Sequence, residues 1–449
     1  MEILYTKGKV IKSLKEYFTP YLELLNKATR KKVFMVLLAI IALQGVNSIR
    51  YLYQWFMKTM SKTSLNAYYY LFSYTELPLD LFMRVTIRIA LSCIPEELRN
   101  QAILLTIDDT LQEKYGTKFE SYQKYFDHAE HTGSKYLNGH CFVAMTISVP
   151  VWFKGAIKYL SIPVGYRLRS ENENKLEIAS KMIEIGMEEI GEEVQVILLC
   201  DSWYPKGEVL KTVAGHKNLE MIANVRVDSA IYDLPGETPK GKRGAKPKKG
   251  KRLDIHKDFE MKEIDGGLLA GARKALTNLF KEAVVYVTVT TSDISKDKAY
   301  RLFMSTLLPE EILMDIKIAE KEILKKINEA DLWILPFQVY RFRWNIEVIF
   351  YEQKKFWSLG AYMLRSKIGI ENYANLIMLV YSAMKIIPYK NKIFSKMEEN
   401  SVQECKYMLG EWIKKEINYK SFVDMLESGI NSSDPWEAFN SMASFKDAA

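Results

Sequence analysis

Tyr340, Arg343, Glu347 and Lys354 set one acid among three groups that donate to phosphate oxygens, in the order Tyr-x2-Arg-x3-Glu-x6-Lys. An α-helix turns by about 100° per residue, so offsets of three, seven and fourteen put all four side chains on one wall, within about 60° of one another. The surrounding text, Val339 to Lys355, holds no Pro or Gly and is expected to be a single helix. A hydroxyl, a guanidinium and an ammonium beside a carboxylate suit a phosphodiester held against a metal-binding acid. Taken alone, the same stripe is also an ordinary salt-bridged face, because Arg343 and Glu347 stand at i,i+4. Two further carboxylates decide between these readings.

The first lies in Leu105-Thr-Ile-Asp-Asp-Thr110, which closes an apolar run that starts at Ala102. Side chains alternate along a strand, so only one of Asp108 and Asp109 faces any one site. The second is Asp201, which directly follows the continuously apolar Val194-Gln-Val-Ile-Leu-Leu-Cys200. Such a run reads as a strand buried on both faces, and its C-terminal end is where open sheets present ligand-binding groups. A lone carboxylate there is costly to desolvate, so a metal or other cation is expected beside it. Trp203 and Tyr204 follow, as base-stacking groups or as plain core and rim aromatics. Carboxylate oxygens suit Mg²⁺ or Mn²⁺, and two such ions about 4 Å apart can activate an attacking water or 3′-hydroxyl. A competing ligand set, Asp127, His128, His131, His140 and Cys141, lacks the spacing of a closed zinc site. His140 and Cys141, adjacent on a strand, point to opposite sides.

The elements that position these acids follow from the periodicity. Residues 1–98 read as helical, with apolar repeats through Tyr17–Leu43, Ile49–Met60, Leu65–Phe72 and Leu81–Ile94. Leu43 to Leu52, followed by Lys58 and Lys62, reads equally as a helix-turn-helix-like unit or as part of a plain bundle. From residue 99 the period changes, with strands at 102–110, 139–149 and 157–168, a helix at 174–190 and the strand ending at Cys200. A helix at 207–214 and strands at 219–227 and 283–290 come next, and 307–332 reads as a charged amphipathic helix. From Gly360 onward the text is helical again. Asp201 and Glu347 stand 146 residues apart, more than a helix and a loop require, so an inserted subdomain is expected between them.

A chain of 449 residues with 48% hydrophobic content has ample material for several cores. Its longest apolar run, Val33 to Leu43, is eleven residues where a membrane span needs about twenty. The opening residues lack the features of an export signal, which leads to the expectation of a cytoplasmic protein. The four cysteines, Cys93, Cys141, Cys200 and Cys405, form no CxxC pair and imply no disulfide framework. The net charge of +8 is located in one place: Lys240 to Arg252 carries eight basic residues and no acid, and without them 55 basic residues face 55 acidic ones. That Gly- and Pro-punctuated segment has the composition of a loop that contacts the phosphate backbone of nucleic acid.

With these residues in view, the chain resembles the Asp-Asp-Glu transposases of the insertion-sequence-four type over approximately Leu104 to Met384. The resemblance rests on the Tyr340, Arg343, Glu347, Lys354 spacing, on Leu359-Gly-Ala-Tyr-Met-Leu-Arg-Ser-Lys and Asn372-Tyr-Ala-Asn-Leu-Ile-Met-Leu after it, and on the basic Lys242-Arg-Gly-Ala-Lys-Pro-Lys-Lys. It implies an α/β fold, a ribonuclease-H-like catalytic core with an inserted, mainly β subdomain, flanked by helical N- and C-terminal regions. The corresponding divisions are 1–98 for DNA binding, 99–228 and 336–385 for the two parts of the core, 229–335 for the insertion and 386–449 for the C-terminal helices. By the family's Asp-Thr pair the first acid is Asp109, which with Asp201 and Glu347 holds two Mg²⁺ or Mn²⁺ ions. Tyr340, Arg343 and Lys354 grip phosphates, and Lys242, Arg243, Lys246, Lys248 and Lys249 contact DNA. The implied activity is cut-and-paste: cleavage at terminal inverted repeats, then transfer of the freed 3′-hydroxyl into target DNA by a homodimer, with no membrane or small-molecule substrate. A nuclease without strand transfer and a DNA-binding protein descended from a transposase are the competing readings.

Overall fold

The computed structural model describes residues 9–46, 48–116, 118–126, 136–236, 247–280, 283–314, 317–320, 323–326 and 329–430. The chain opens with helices Lys9–Leu22 (α1), Lys27–Ala42 (α2) and Ile49–Leu52 (α3), a π-helical turn at Tyr53–Met57, then Lys58–Met60 (α4), Leu65–Tyr74 (α5) and Leu79–Leu91 (α6). The long apolar stretch from Tyr17 to Leu43 is broken in two because Asn26 caps α2, its side-chain oxygen accepting the Thr29 amide at 2.9 Å. Ser48 and Ser64 cap α3 and α5 in the same way.

Strands Ile103–Glu113 (β1), Gln123–Phe126 (β2), Tyr136–Phe153 (β3) and Ala156–Leu168 (β4) lead to helix Lys175–Ile190 (α7), strand Val196–Cys200 (β5), helix Gly207–Gly215 (α8) and strand Leu219–Val225 (β6). Further strands are Ile231–Tyr232 (β7), Lys262–Asp265 (β8), Leu268–Thr277 (β9), Val284–Thr291 (β10) and Arg301–Ser305 (β11). All of these join one mixed sheet of eleven strands, in the order β2-β3-β1-β5-β6-β11-β10-β9-β7, with β4 also paired to β3 and β8 to β9. β1 runs parallel to β5 and antiparallel to β3, and β5 runs parallel to β6.

The charged helix expected over 307–332 is not what forms. Pro309–Glu311 is a single 3-10 turn, and Lys317–Glu320 (β12) and Ile323–Lys326 (β13) pair as a two-stranded hairpin. Asp315-Ile-Lys-Ile alternates polar and apolar residues with period two as readily as it fits a helical stripe, and Pro309 interrupts the backbone before it. The chain closes with Leu335–Tyr340 (α9), Trp344–Phe356 (α10), Lys367–Lys390 (α11) and Val402–Ile430 (α12).

β1 is buried on both faces. Ile103, Leu105 and Ile107 join the core formed with α6, α7 and α8, whereas Leu104 joins a second core with Ile197, Leu199, Leu335 and Val339. Helix α7 sits close because residue 186 is glycine: a Cβ there would come within 3.2 Å of Leu105 and of Met145. A third core joins the two ends of the chain, with α1, α2 and α5 packed on α11 and α12. Across that seam the Glu416 carboxylate accepts the free amides of Val10 at 3.0 Å and Ile11 at 3.2 Å, closing the start of α1.

Candidate functional site

In the parallel register of β1 and β5, Ile107 pairs with Cys200. The next residues are Asp108 and Asp201, so two acids stand side by side where β5 ends and β1 runs on along β3. Asp108 shares its face with Leu104, the face that α9 and Phe342 of the turn after it cover. It is 9% exposed, and burial together with the neighbouring Asp201 charge pushes its carboxyl up to about 8, against the pull of Arg343. Burial also raises the Asp201 carboxyl, opposed by the Trp203 amide, which donates to its Oδ1 at 2.9 Å.

From the other side come the stripe residues. They do not lie on one uninterrupted α-helix: a 3-10 turn at Arg341–Arg343 separates α9 from α10. Tyr340 ends α9 and packs its ring 4.8 Å from that of Phe303. The Arg343 guanidinium crosses to β1, with Nη1 donating to Asp108 Oδ2 at 2.7 Å and Nη2 donating to Glu347 Oε1. Burial works against its charge, but Tyr340, Asp108 and Glu347 together hold its pKa above the ordinary arginine value. Lys354 reaches the far end of β1, donating to the Leu111 carbonyl at 2.8 Å. Tyr340, Arg343 and Glu347 thus gather beside Asp108 and Asp201, and Lys354 stands further along β1, at Leu111.

Asp109 faces away from this cluster. Its Oδ1 accepts the Lys175 ammonium at 2.8 Å and the Tyr204 hydroxyl at 2.9 Å, and the Cys141 thiol lies 3.4 Å from its Oδ2. The acid chosen by resemblance therefore braces α7 and the turn after β5, while its neighbour Asp108 meets Arg343 and Asp201. Lys175 and Tyr204 carried no signal that would have joined them to Asp109, because the pairing crosses from one strand to the start of a helix and a loop. Tyr204 is fully buried, whereas Trp203 is 48% exposed with the Lys206 and Lys175 ammoniums 3.7 Å and 4.7 Å from its ring centre.

The donors available to a cation are all carboxylate oxygens, the chemistry of a hard divalent ion. Asp108, Asp201 and Glu347 fit such an ion in kind: Asp108 and Asp201 crowd each other, and Asp108 and Glu347 already hold a positive group between them, Arg343. Among the described residues no three His, Cys, Asp or Glu side chains stand ready-spaced around a metal position. The zinc reading finds no support in His140. That ring has no exposed surface, and both its nitrogens are engaged, Nδ1 with the Tyr362 hydroxyl at 2.7 Å and Nε2 with the Glu120 carbonyl at 3.0 Å. Asp127, His128 and His131 lie outside the described residues.

Burial lowers the His140 pKa to about 4, which makes a prediction. Because the unfolded chain takes up this proton near pH 6.5 and the folded chain does not, the contribution is complete above pH 6.5 and is lost as pH falls from there towards 4. At pH 5 the loss amounts to about 2 kcal/mol. Denaturant titrations at pH 7.5 and 5.0 should show that much extra loss in the wild type over His140→Gln; equal losses would refute it.

Of the basic segment, Lys242, Arg243 and Lys246 lie outside the described residues. Lys248 is exposed, and Lys249 donates to Asn278 and stands 4.7 Å from the Tyr232 ring centre. Among the described residues no helix is long and apolar enough to cross a membrane. A family model described as "DDE superfamily endonuclease" matches residues 20–279, more than half of the chain; it takes in Asp108, Asp109 and Asp201 and ends before α10. No curated protein matches the chain.

Proposed function

Because the chain belongs to the DDE superfamily of endonucleases, we propose that it is a DNA transposase of the insertion-sequence-four type, cutting at the terminal inverted repeats of a mobile element and joining the freed 3′-hydroxyl to target DNA. The observation that carries this reading is the convergence of Asp108, midway along β1, and Asp201, just past the end of the adjacent parallel strand β5, with Arg343 from the 3-10 turn and Glu347 from α10. The order β4-β3-β1-β5-β6 supports a ribonuclease-H-like core. We assign that core to 99–228 and 336–385, with 229–335 as the insertion that extends the sheet beyond β6, and residues 1–98 and 386–449 as the flanking helical regions.

In this reading Asp108, Asp201 and Glu347 hold the divalent ions, Mg²⁺ or Mn²⁺. Two such ions, when bound, supply a polarised water or 3′-hydroxyl and stabilise the departing oxygen. The remaining work belongs to the protein's own groups. Tyr340 and Lys354 flank the acids and offer a hydroxyl and an ammonium to the phosphates beside the cut. Arg343 adds a planar, permanently charged fork suited to two phosphate oxygens. Asp109, through Lys175 and Tyr204, keeps β1, α7 and the Asp201 turn in fixed relation. The basic segment around Lys242, Arg243, Lys246, Lys248 and Lys249 supplies backbone contacts away from the acids. Action as a homodimer on paired ends rests on the family resemblance.

A nuclease without strand transfer is the second reading, favoured by the family's description, which names endonuclease activity and nothing further. The two part in one assay. Purified protein is incubated with labelled element ends, a supercoiled target and Mg²⁺ or Mn²⁺, alongside Glu347→Ala. Cleaved ends joined to target are expected from the wild type, and neither product from the variant. Cleavage without joining would favour the nuclease, and undiminished cleavage by Glu347→Ala would sink the metal assignment for that residue.

A further inference from the structure

We propose that Arg343 is a built-in counter-cation that closes the acid cluster in the DNA-free protein, and that a DNA phosphate, by drawing it out, opens the cluster to divalent metal. The inference rests on the metal assignment of Asp108, Asp201 and Glu347 made above.

Three observations carry it. First, one guanidinium spans two of the three proposed ligands, using Nη1 on Asp108 and Nη2 on Glu347. The Arg343 side chain is only 14% exposed, so this is an enclosed ion cluster and not a surface pair. A divalent ion placed against the same oxygens would sit within a few ångströms of a fixed positive charge, and in a partly desolvated site that repulsion is several times its value in water. Second, the guanidinium is not fully satisfied where it stands: its Nε is buried with no hydrogen-bond partner among the described residues. A phosphate offers several acceptor oxygens to a guanidinium fork, so exchanging carboxylates for phosphate gives Arg343 better hydrogen bonding while releasing both acids. Third, Arg343 is the last residue of the 3-10 turn between α9 and α10. A 3-10 stretch inside a helical run commonly marks a hinge, and a small change there re-aims this side chain.

DNA and metal then favour each other. Phosphate removes the competing cation, the metal removes the carboxylates' hold on Arg343, and by linkage each ligand must strengthen the other by the same factor.

The test is Mn²⁺ binding, followed by its electron paramagnetic resonance signal. It uses the full-length protein, alone and with a random-sequence duplex at low salt, with ion bound by the duplex alone subtracted. The free wild type should bind Mn²⁺ at least about tenfold more weakly than the wild type on DNA. Arg343→Gln without DNA should recover most of that factor, although it holds DNA less well, and adding DNA should then change its Mn²⁺ affinity little. Arg343→Lys, which keeps the charge but cannot span both acids, should fall between. Equal Mn²⁺ affinity of the wild type with and without DNA overturns the proposal, and needs no variant to fold. So does equal affinity of the free wild type and free Arg343→Gln. Glu347→Gln separates the failures. If it abolishes Mn²⁺ binding while DNA and Arg343 have no effect, the ligand assignment stands and the gate falls. If Mn²⁺ binds Glu347→Gln as well as the wild type, the ligand assignment falls and takes the gate with it.

Discussion

Asp108→Asn is expected to abolish cleavage, a loss on the order of 10³-fold or more, whereas Asp109→Asn keeps cleavage within about tenfold of the wild type and unfolds more easily. Adjacent residues on one strand face opposite sides of the sheet, and here the two sides hold different work. Asp108 sits against Asp201 and the Arg343 guanidinium, so its replacement by an amide removes an anionic oxygen from the cluster proposed to hold the ions. Asp109 has Oδ1 committed to Lys175 and Tyr204 and Oδ2 to the Cys141 thiol. Its amide variant still accepts from Tyr204 but leaves the Lys175 ammonium, 17% exposed, without its carboxylate, which costs about 2 kcal/mol. Lys175→Met added to Asp109→Asn removes the stranded charge and should restore part of the stability. Cleavage assays and chemical denaturation on the wild type and these three variants check the pattern. Cleavage that survives Asp108→Asn but not Asp109→Asn would return the first ligand to Asp109.

The second large effect is one of stability. Trp357 caps the C-terminal end of α10 with no exposed surface, its amide donating to the Gln353 carbonyl and its ring meeting Tyr381 edge-on at 5.4 Å. The ammonium of Lys406, a residue with no exposed surface of its own, stands 4.6 Å from the same ring centre. Burial lowers the Lys406 pKa to about 8, and the ammonium is met there by the Gln44 carbonyl, to which it donates at 3.4 Å, and by the Trp357 face. Trp357→Ala should cost about 3 to 5 kcal/mol, through lost contact and a cavity, and it leaves Lys406 with the Gln44 carbonyl but without the aromatic face. Lys406→Met should be close to neutral alone yet recover about 1 kcal/mol beside Trp357→Ala. Trp357→Phe, which keeps an aromatic face, should lose less. Denaturant titration of this cycle checks both parts, and strict additivity would show that ring and ammonium do not support each other.

Much of the frame around the acids could be read from residue order. The strands β1, β3, β4 and β5 and helix α7 stood out because long apolar runs with β-branched content and a clear Asn174 cap leave little choice of conformation. Asp201 was legible for the same reason, as the first acid after a run too apolar to end inside a core. Alternation established that only one of Asp108 and Asp109 could face the cluster, but not which one. Leu104 and Leu105 are both fully buried, so β1 has no polar face by which to orient it. β9 escaped notice because Leu-Leu-Ala-Gly-Ala-Arg-Lys-Ala-Leu-Thr has little strand propensity; its conformation is imposed by β10 on one side and by β7 and β8 on the other. The continuous helix expected from Val339 to Lys355 failed at Arg341–Arg343, where the Arg343 contact to β1 lies across 235 residues of sequence and no local rule anticipates it.

The seam between the two ends of the chain also sets a timetable. The amides of Val10 and Ile11 find their acceptor on Glu416, some 400 positions later, and α2 packs on α12 over a similar distance. Contacts of that separation form late, because the loop they close must already be made. During synthesis the first helices leave the ribosome with an apolar face that nothing yet covers. They wait for nearly the whole polypeptide before their core is complete. A message cut short, or a chain that loses α12, would thus lose the N-terminal helices' fold as well, although every residue of those helices is present.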